Sequence, residues 1–235
     1  MRVLHVLDHS LPLQSGYVFR TLGILGGQRG LGWETAQLTS PRNHNTTAAS
    51  ETVDGWTFLR TPRPTGALAA RAPGRELMEM RATATRLRAA IAAARPDIVQ
   101  AHSPVLNGLP ALWAARRAGL PLVYEVRALW EDAAVDLGHA REGDLRYRTT
   151  RGLETWLLRR ADGVVTLCEA LRREIIGRGV PGERVAVVPN AIDPAQFSVT
   201  PRRDLQLADS LGLAGRQVLG FIGSCLLYTS PSPRD

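Results

Sequence analysis

Residues 97–126, DIVQAHSPVLNGLPALWAARRAGLPLVYEV, decide the fold. Two short apolar runs, DIVQAH and PLVYEV, flank the helical segment Val105–Ala118, and Gly119 supplies its C-terminal punctuation. Runs of that length on either side of a helix form a βαβ unit, and such a unit needs a parallel sheet.

Working outward, the alternation repeats. Upstream, Arg75–Ala94 carries Leu77, Met80, Ala84, Leu87 and Ile91 at spacings of three and four, an amphipathic helix stopped by Pro96. Val3–Leu7 reads as a first strand, with a helix starting near Gly16, and Trp33–Leu38 and Trp56–Leu59 read as further strands separated by loop at 43–50. Downstream, a helix at 144–160, the strand GVVTL, a helix at 169–178 and the strand RVAVVP continue the pattern. The predicted fold class is α/β, a Rossmann-like, doubly wound parallel sheet covered on both faces. A short helix near Leu205–Leu211 and the run QVLGFIGS then read as the start of a second α/β domain.

Composition narrows the function classes. The chain has 235 residues, 44% hydrophobic and 22% charged, which is globular rather than disordered. Its basic residues are all arginine, and the formal charge of +7 favours anionic partners. These arginines are dispersed and come with no nucleic-acid-binding signature. Cys168 and Cys225 lack metal-ligand spacing, no secretory or spanning segment is present, and a reducing cytosol fits. No metal and no cofactor is expected. The absence of lysine excludes a P-loop, and no G-x-S-x-G elbow supports a serine hydrolase.

Ligands of an open α/β sheet bind outside the carboxyl ends of its strands. The loop DHSLPLQSGY places Ser15 and Gly16 there, at a helix start suited to an anion, although a tight turn accounts for Gly16 equally well. GGQRGLG reads as a helix end and a turn without a ligand. His102 follows one strand, and VYEVRALWEDAAVD brings Glu125, Arg127, Trp130, Glu131 and Asp132 to the same edge. Arg127 is also within reach of Glu131 if that segment is helical.

Taken in order, MRVLHVLDHSLPLQSGY, DIVQAHSPVLNGLPAL, VYEVRALWEDAAVD, LRRADGVVTLCEAL, RVAVVPNAID and VLGFIGS resemble the N-terminal half of a family 4 glycosyltransferase of the GT-B fold. More narrowly, they resemble those associated with exosortase and exopolysaccharide loci. The resemblance implies a retaining enzyme that needs no metal and transfers sugar from a nucleotide-sugar donor to a glycan or lipid-linked acceptor. It implies His102 and Glu125 as catalytic groups on one cleft wall. Ser15, Gly16, Arg127, Trp130, Glu131, Asp132 and Asn190 are implied to bind substrate. By the same resemblance residues 1–198 are the acceptor-side domain and 199–224 a linker and the start of a truncated donor domain. Residues 225–235 read as a non-native tail, like translated adapter sequence. Such a fragment is expected to be inactive alone and cytoplasmic, with peripheral contact at the inner membrane face. The competing reading is a stand-alone, non-catalytic module for an anionic glycolipid or nucleotide.

Overall fold

The computed structural model describes residues 1–43, 48–136, 138–192, 194, 204–213 and 215–219. Among them, strands β1 (Arg2–Leu7), β2 (Glu34–Thr39), β3 (Ser50–Val53), β4 (Trp56–Leu59), β5 (Ile98–His102), β6 (Leu122–Val126), β7 (Gly163–Thr166) and β8 (Val185–Val187) form one sheet. Its order is β3-β4-β2-β1-β5-β6-β7-β8, parallel throughout except for the β3–β4 hairpin at one edge. That hairpin adds a strand, Ser50–Val53, at the end of the segment read as loop.

The helices are α1 (Gly16–Gly30), α2 (Gly74–Ala94), α3 (Val105–Ala118), α4 (Trp130–Asp136), α5 (Leu145–Leu158), α6 (Glu169–Gly177) and, separately, α7 (Leu205–Ser210). The larger core joins one side of the strands, through residues such as Leu4, Val6, Val99 and Tyr124, to Leu87 of α2, Ala111 of α3, Leu157 of α5 and Ile175 of α6. The smaller core sets Leu7 and Phe58 against Val18, with Tyr17 and Leu22 of α1. Both faces are therefore covered, as the alternation predicted. At Gly108 the chains come closest: a Cβ there would strike Leu157 and stand 2.8 Å from the Tyr124 ring. α3 then ends on Gly119, whose φ of 68° is the left-handed cap glycine adopts at little cost.

Met1–Ala191 is one compact unit and Ile192–Asp235 a second. The boundary expected at 198 lies outside the described residues. In the second, Asp204 caps α7 by accepting from the Leu207 N–H. Residues 217–219 form no strand, and the rest of the expected strand, with 225–235, lies outside the described residues.

The order of the sheet fixes where a site falls. After β1 the chain turns one way to β2 and later returns to add β5 on the other side of β1. The carboxyl ends of β1 and β5 therefore flank a topological switch point, the crevice where such sheets bind ligands.

Candidate functional site

Beneath that crevice lies a polar layer facing α1. His5 pairs in register with Gln100, and His102 with Glu125. Strand side chains alternate between faces, so His5, Gln100, His102 and Glu125 share the α1 side of three adjacent strands. All are buried.

The hydrogen bonds order the protons. Gln28 of α1 gives its amide N–H to Gln100 Oε1 at 3.3 Å, so its own Oε1 accepts from His5 Nε2 at 2.8 Å. Neutral His5 then offers Nδ1 as acceptor to His102 Nε2 at 3.0 Å, and His102 Nδ1 is left to accept from Arg127 Nη2 at 2.7 Å. His102 Nδ1 also lies 2.9 Å from Glu125 Oε2 and would turn a proton toward it only as imidazolium. Burial holds His5 down to about 3 and lowers His102 below the ordinary imidazole range, so both are neutral near pH 7.

Burial pushes the Glu125 carboxyl upward, but the Arg127 and Arg20 guanidiniums, joined by His102 when that ring is charged at low pH, outweigh it and hold it far below the carboxylate range. Its Oε1 accepts from Arg20 Nε at 2.7 Å and Arg127 Nε at 3.0 Å, and its Oε2 from Gln100 at 3.0 Å. Arg127 also donates to the Tyr17 carbonyl and to Thr21 Oγ1, and its guanidinium stacks 4.0 Å from the Tyr17 ring centroid. Arg20 extends the network to the end of the unit, donating to the Val188 and Pro189 carbonyls and to Asn190 Oδ1 at 2.7, 3.0 and 3.1 Å.

His102 and Glu125 are thus neighbours, as expected, but they do not line a cleft wall. Both are 0% exposed, sealed under Arg127, Arg20 and the Tyr17 helix. In this arrangement neither is open to a ligand, and what they hold is the two arginines. The carboxylates after β6 separate for a local reason. Glu131 and Asp132 occupy the first turn of α4, where acidic side chains meet the positive end of the helix dipole. Glu131 points inward to Arg178 Nη1 at 2.6 Å, not to Arg127, and Asp132 accepts from the Tyr147 hydroxyl at 2.9 Å. Trp130 and Asn190 remain exposed at the surface.

The open part of the edge is the β1–α1 loop. Ser15 caps α1, accepting from the Val18 N–H at 3.3 Å, and no acidic side chain occupies the first turn. A Cβ on Gly16 would meet nothing within 4 Å, so the helix start faces open space. His9, partly exposed, reaches Ser15 Oγ through Nε2 at 3.0 Å and Asp8 through Nδ1 at 3.3 Å, and it stacks on Tyr17. Arg42 anchors Asp8 at 2.7 Å and reaches Glu79 and Asn107, while buried Arg60 holds Ser10 and the Leu11 carbonyl. Sequence reading did not assign His5, Gln100, Gln28, Arg20 or His9 to this site. GGQRGLG, read as a helix end, is largely helix and carries Gln28.

Three comparisons place this geometry among known proteins. The pattern of a family described as a glycosyl transferase 4-like domain matches residues 15–191. The 2-deoxystreptamine glucosyltransferase of Streptomyces kanamyceticus is 31% identical over 137 residues, covering 54% of this chain and 34% of that protein. Sucrose-phosphate synthase from Thermosynechococcus elongatus superposes with a TM-score of 0.64 at 14% identity, covering 91% of this chain and 53% of that one. HepE from Anabaena, solved with UDP, does so with a TM-score of 0.59 at 16% identity, covering 90% of this chain and 50% of that one. The chain thus spans a third to a half of the length of these relatives.

Proposed function

This chain belongs to the glycosyl transferase 4-like family, and on that premise we propose that it is the acceptor-side half of a retaining glycosyltransferase. The complete enzyme moves a sugar from a nucleotide-sugar donor to a glycan or lipid-linked acceptor in polysaccharide biosynthesis. The observation that carries the reading is the extent of the family match. It begins at the cap of α1 and ends where the compact unit ends, so it takes in the open start of α1, Gln100, His102 and Glu125 of the polar layer, and the Arg20 contacts, with His5 upstream of it. A glucosyltransferase among the relatives and UDP in a structural neighbour support a nucleotide-sugar donor.

In this reading Ser15 and Gly16 present the start of α1 to phosphate and acceptor hydroxyls, where helix N–H groups and the dipole favour negative charge. Trp130 offers an exposed indole for a sugar face, and Asp132 and Asn190 offer polar rim groups. Arg127 fixes α1 against β6. His102 and Glu125 are positioning residues that keep Arg127 and Arg20 in place. Stabilisation of the leaving diphosphate, commonly the largest catalytic contribution, falls to a donor-binding half.

Turnover assays with UDP-, GDP- and ADP-sugars test the division of labour. The 235-residue chain should stay at background, whereas a protein joining this unit to a donor-binding half should transfer sugar. In that protein Gly16→Asp, which sets a carboxylate against the bound anion, should lower kcat/KM by roughly 10²-fold or more. Clear catalysis by the chain alone would refute the half-enzyme reading. Binding of nucleotide or glycolipid without transfer in either protein would favour a non-catalytic module instead.

A further inference from the structure

A groove on the outer side of the helical layer takes no part in the site above. It holds about 440 Å³ and is lined by Leu109, Leu112, Trp113, Arg116, Trp156 and Arg160. Trp113 and Trp156 keep 53% and 44% of their surface exposed, although indoles are among the side chains that gain most from burial. Helical spacing puts them there. Leu106, Leu109, Trp113 and Arg117 follow one stripe of α3, and Thr149, Leu153, Trp156 and Arg160 follow one stripe of α5 and its end.

Each indole carries arginine. The Arg160 guanidinium stands 4.0 Å from the Trp156 ring centroid, and Arg117 and Arg88 stand 5.7 and 5.9 Å from that of Trp113. Arg116 donates to the Arg160 carbonyl at 2.8 Å and to Asp162 at 3.4 Å. Four arginines thus surround an apolar groove, and among the contacts described for them Asp162 is the single carboxylate. Arg116 and Arg117 also complement the carbonyl end of α3, but that role calls for no exposed tryptophan.

We propose that this face docks on an anionic lipid bilayer. Indoles settle at headgroup depth, where one end is apolar and the other wet, and the arginine fork suits lipid phosphate. Pairing with a second copy would set one cluster of four arginines against another, so charge disfavours it. The groove lies toward the C-terminal ends of α3 and α5, whereas the ligand edge lies at the N-terminal end of α3. Docking here leaves the crevice open, and the inference stands independently of the sugar-transfer reading.

The full 235-residue chain can be sedimented with phosphatidylcholine vesicles made with and without phosphatidylglycerol. Binding is expected only with phosphatidylglycerol, weakening with salt and accompanied by a blue shift of tryptophan emission that Trp113→Phe with Trp156→Phe removes. Arg117→Gln with Arg160→Gln should weaken binding roughly 30-fold, at about a fivefold loss for each arginine near the surface. Arg71→Gln with Arg81→Gln, which removes the same charge from exposed positions elsewhere, should change it less than about threefold. Circular dichroism checks that each variant is folded. No binding to the anionic vesicles, equal losses in both arginine pairs, or a dimer in solution that the Trp113 and Trp156 changes dissociate would overturn the proposal.

Discussion

Glu154→Gln should change how stability depends on pH. Glu154 is fully buried on α5, its Oε1 accepting from the Tyr124 hydroxyl at 2.7 Å. Burial drives its carboxyl up to about 7, aided by Glu131 and opposed by Tyr124 and Arg178. Arg178 gives limited relief because it is already engaged by Glu131 at 2.6 Å and Glu174 at 3.0 Å. A raised folded pKa means the native state holds the proton more tightly than the unfolded chain. The resulting stability is complete below the unfolded value of 4.5 and is lost as pH rises through about 7. At about 1.4 kcal/mol per unit, the loss reaches about 3 kcal/mol. Glutamine keeps the volume and the Tyr124 bond but has no proton to lose. Urea unfolding across the range from acid to mildly alkaline pH gives the stability of parent and variant. Their difference isolates Glu154, because His5 and His102 act in both proteins alike. The variant should gain on the parent by about 3 kcal/mol between the two ends of that range. A difference that stays flat would mean Glu154 is ionised throughout and that Arg178 compensates it fully.

Glu125→Gln leaves Arg20 and Arg127 without their shared counter-charge and should cost about 3–5 kcal/mol in urea unfolding near neutral pH. A loss below about 1 kcal/mol would place the pair in the class of solvated surface bridges. Gly108→Ala should destabilise by about 1–3 kcal/mol despite the better helix propensity of alanine, because its methyl group must displace Leu157 or Tyr124; a gain in melting temperature would refute that close approach. Arg20→Ala should loosen Val188–Asn190, lowering the ¹⁵N heteronuclear NOE of Val188 and Asn190 while β1 and β5 keep theirs, and unchanged values would show that the segment is held by other contacts.

Much of the fold was legible because it rests on local chemistry. Pro96 and Gly119 bracket elements, and the apolar spacing of Arg75–Ala94 marks the face of α2 that Ala84 and Leu87 bury. Two elements were not legible. β3 reads SETV, too short and polar to stand out, and it exists because it pairs with β4, Ser50 with Leu59 through Val53 with Trp56. α4 is one short helix in which Glu131 and Asp132 serve as first-turn acids. Read as side chains gathered at a strand end they resemble a ligand cluster, and the helix sends them to Arg178 and Tyr147 instead.

The candidate site was half legible, and the missing half has a pattern. Strands buried on both faces read as continuous apolar runs, so a polar residue inside one is the exception to look for. His5 in RVLHVL, Gln100 in IVQAH and Glu125 in LVYEV are such exceptions, and the register that aligns them across three strands exists only in the assembled sheet. An isolated buried polar group costs a few kcal/mol, which is why each had to be met by Gln28, Arg20 or Arg127 from outside its own strand. Gln28 and Arg20 sit on α1, and only Arg127 lies near Glu125 in sequence, so no local window shows the whole set together. A hydrophobic layer of the same volume would hold the sheet as well or better. What it would not do is fix Arg127 against Tyr17, beside the open start of α1, and Arg20 against Val188–Asn190, at the last residues of this unit. The sealed histidines and Glu125 therefore belong to the site through the two arginines they orient.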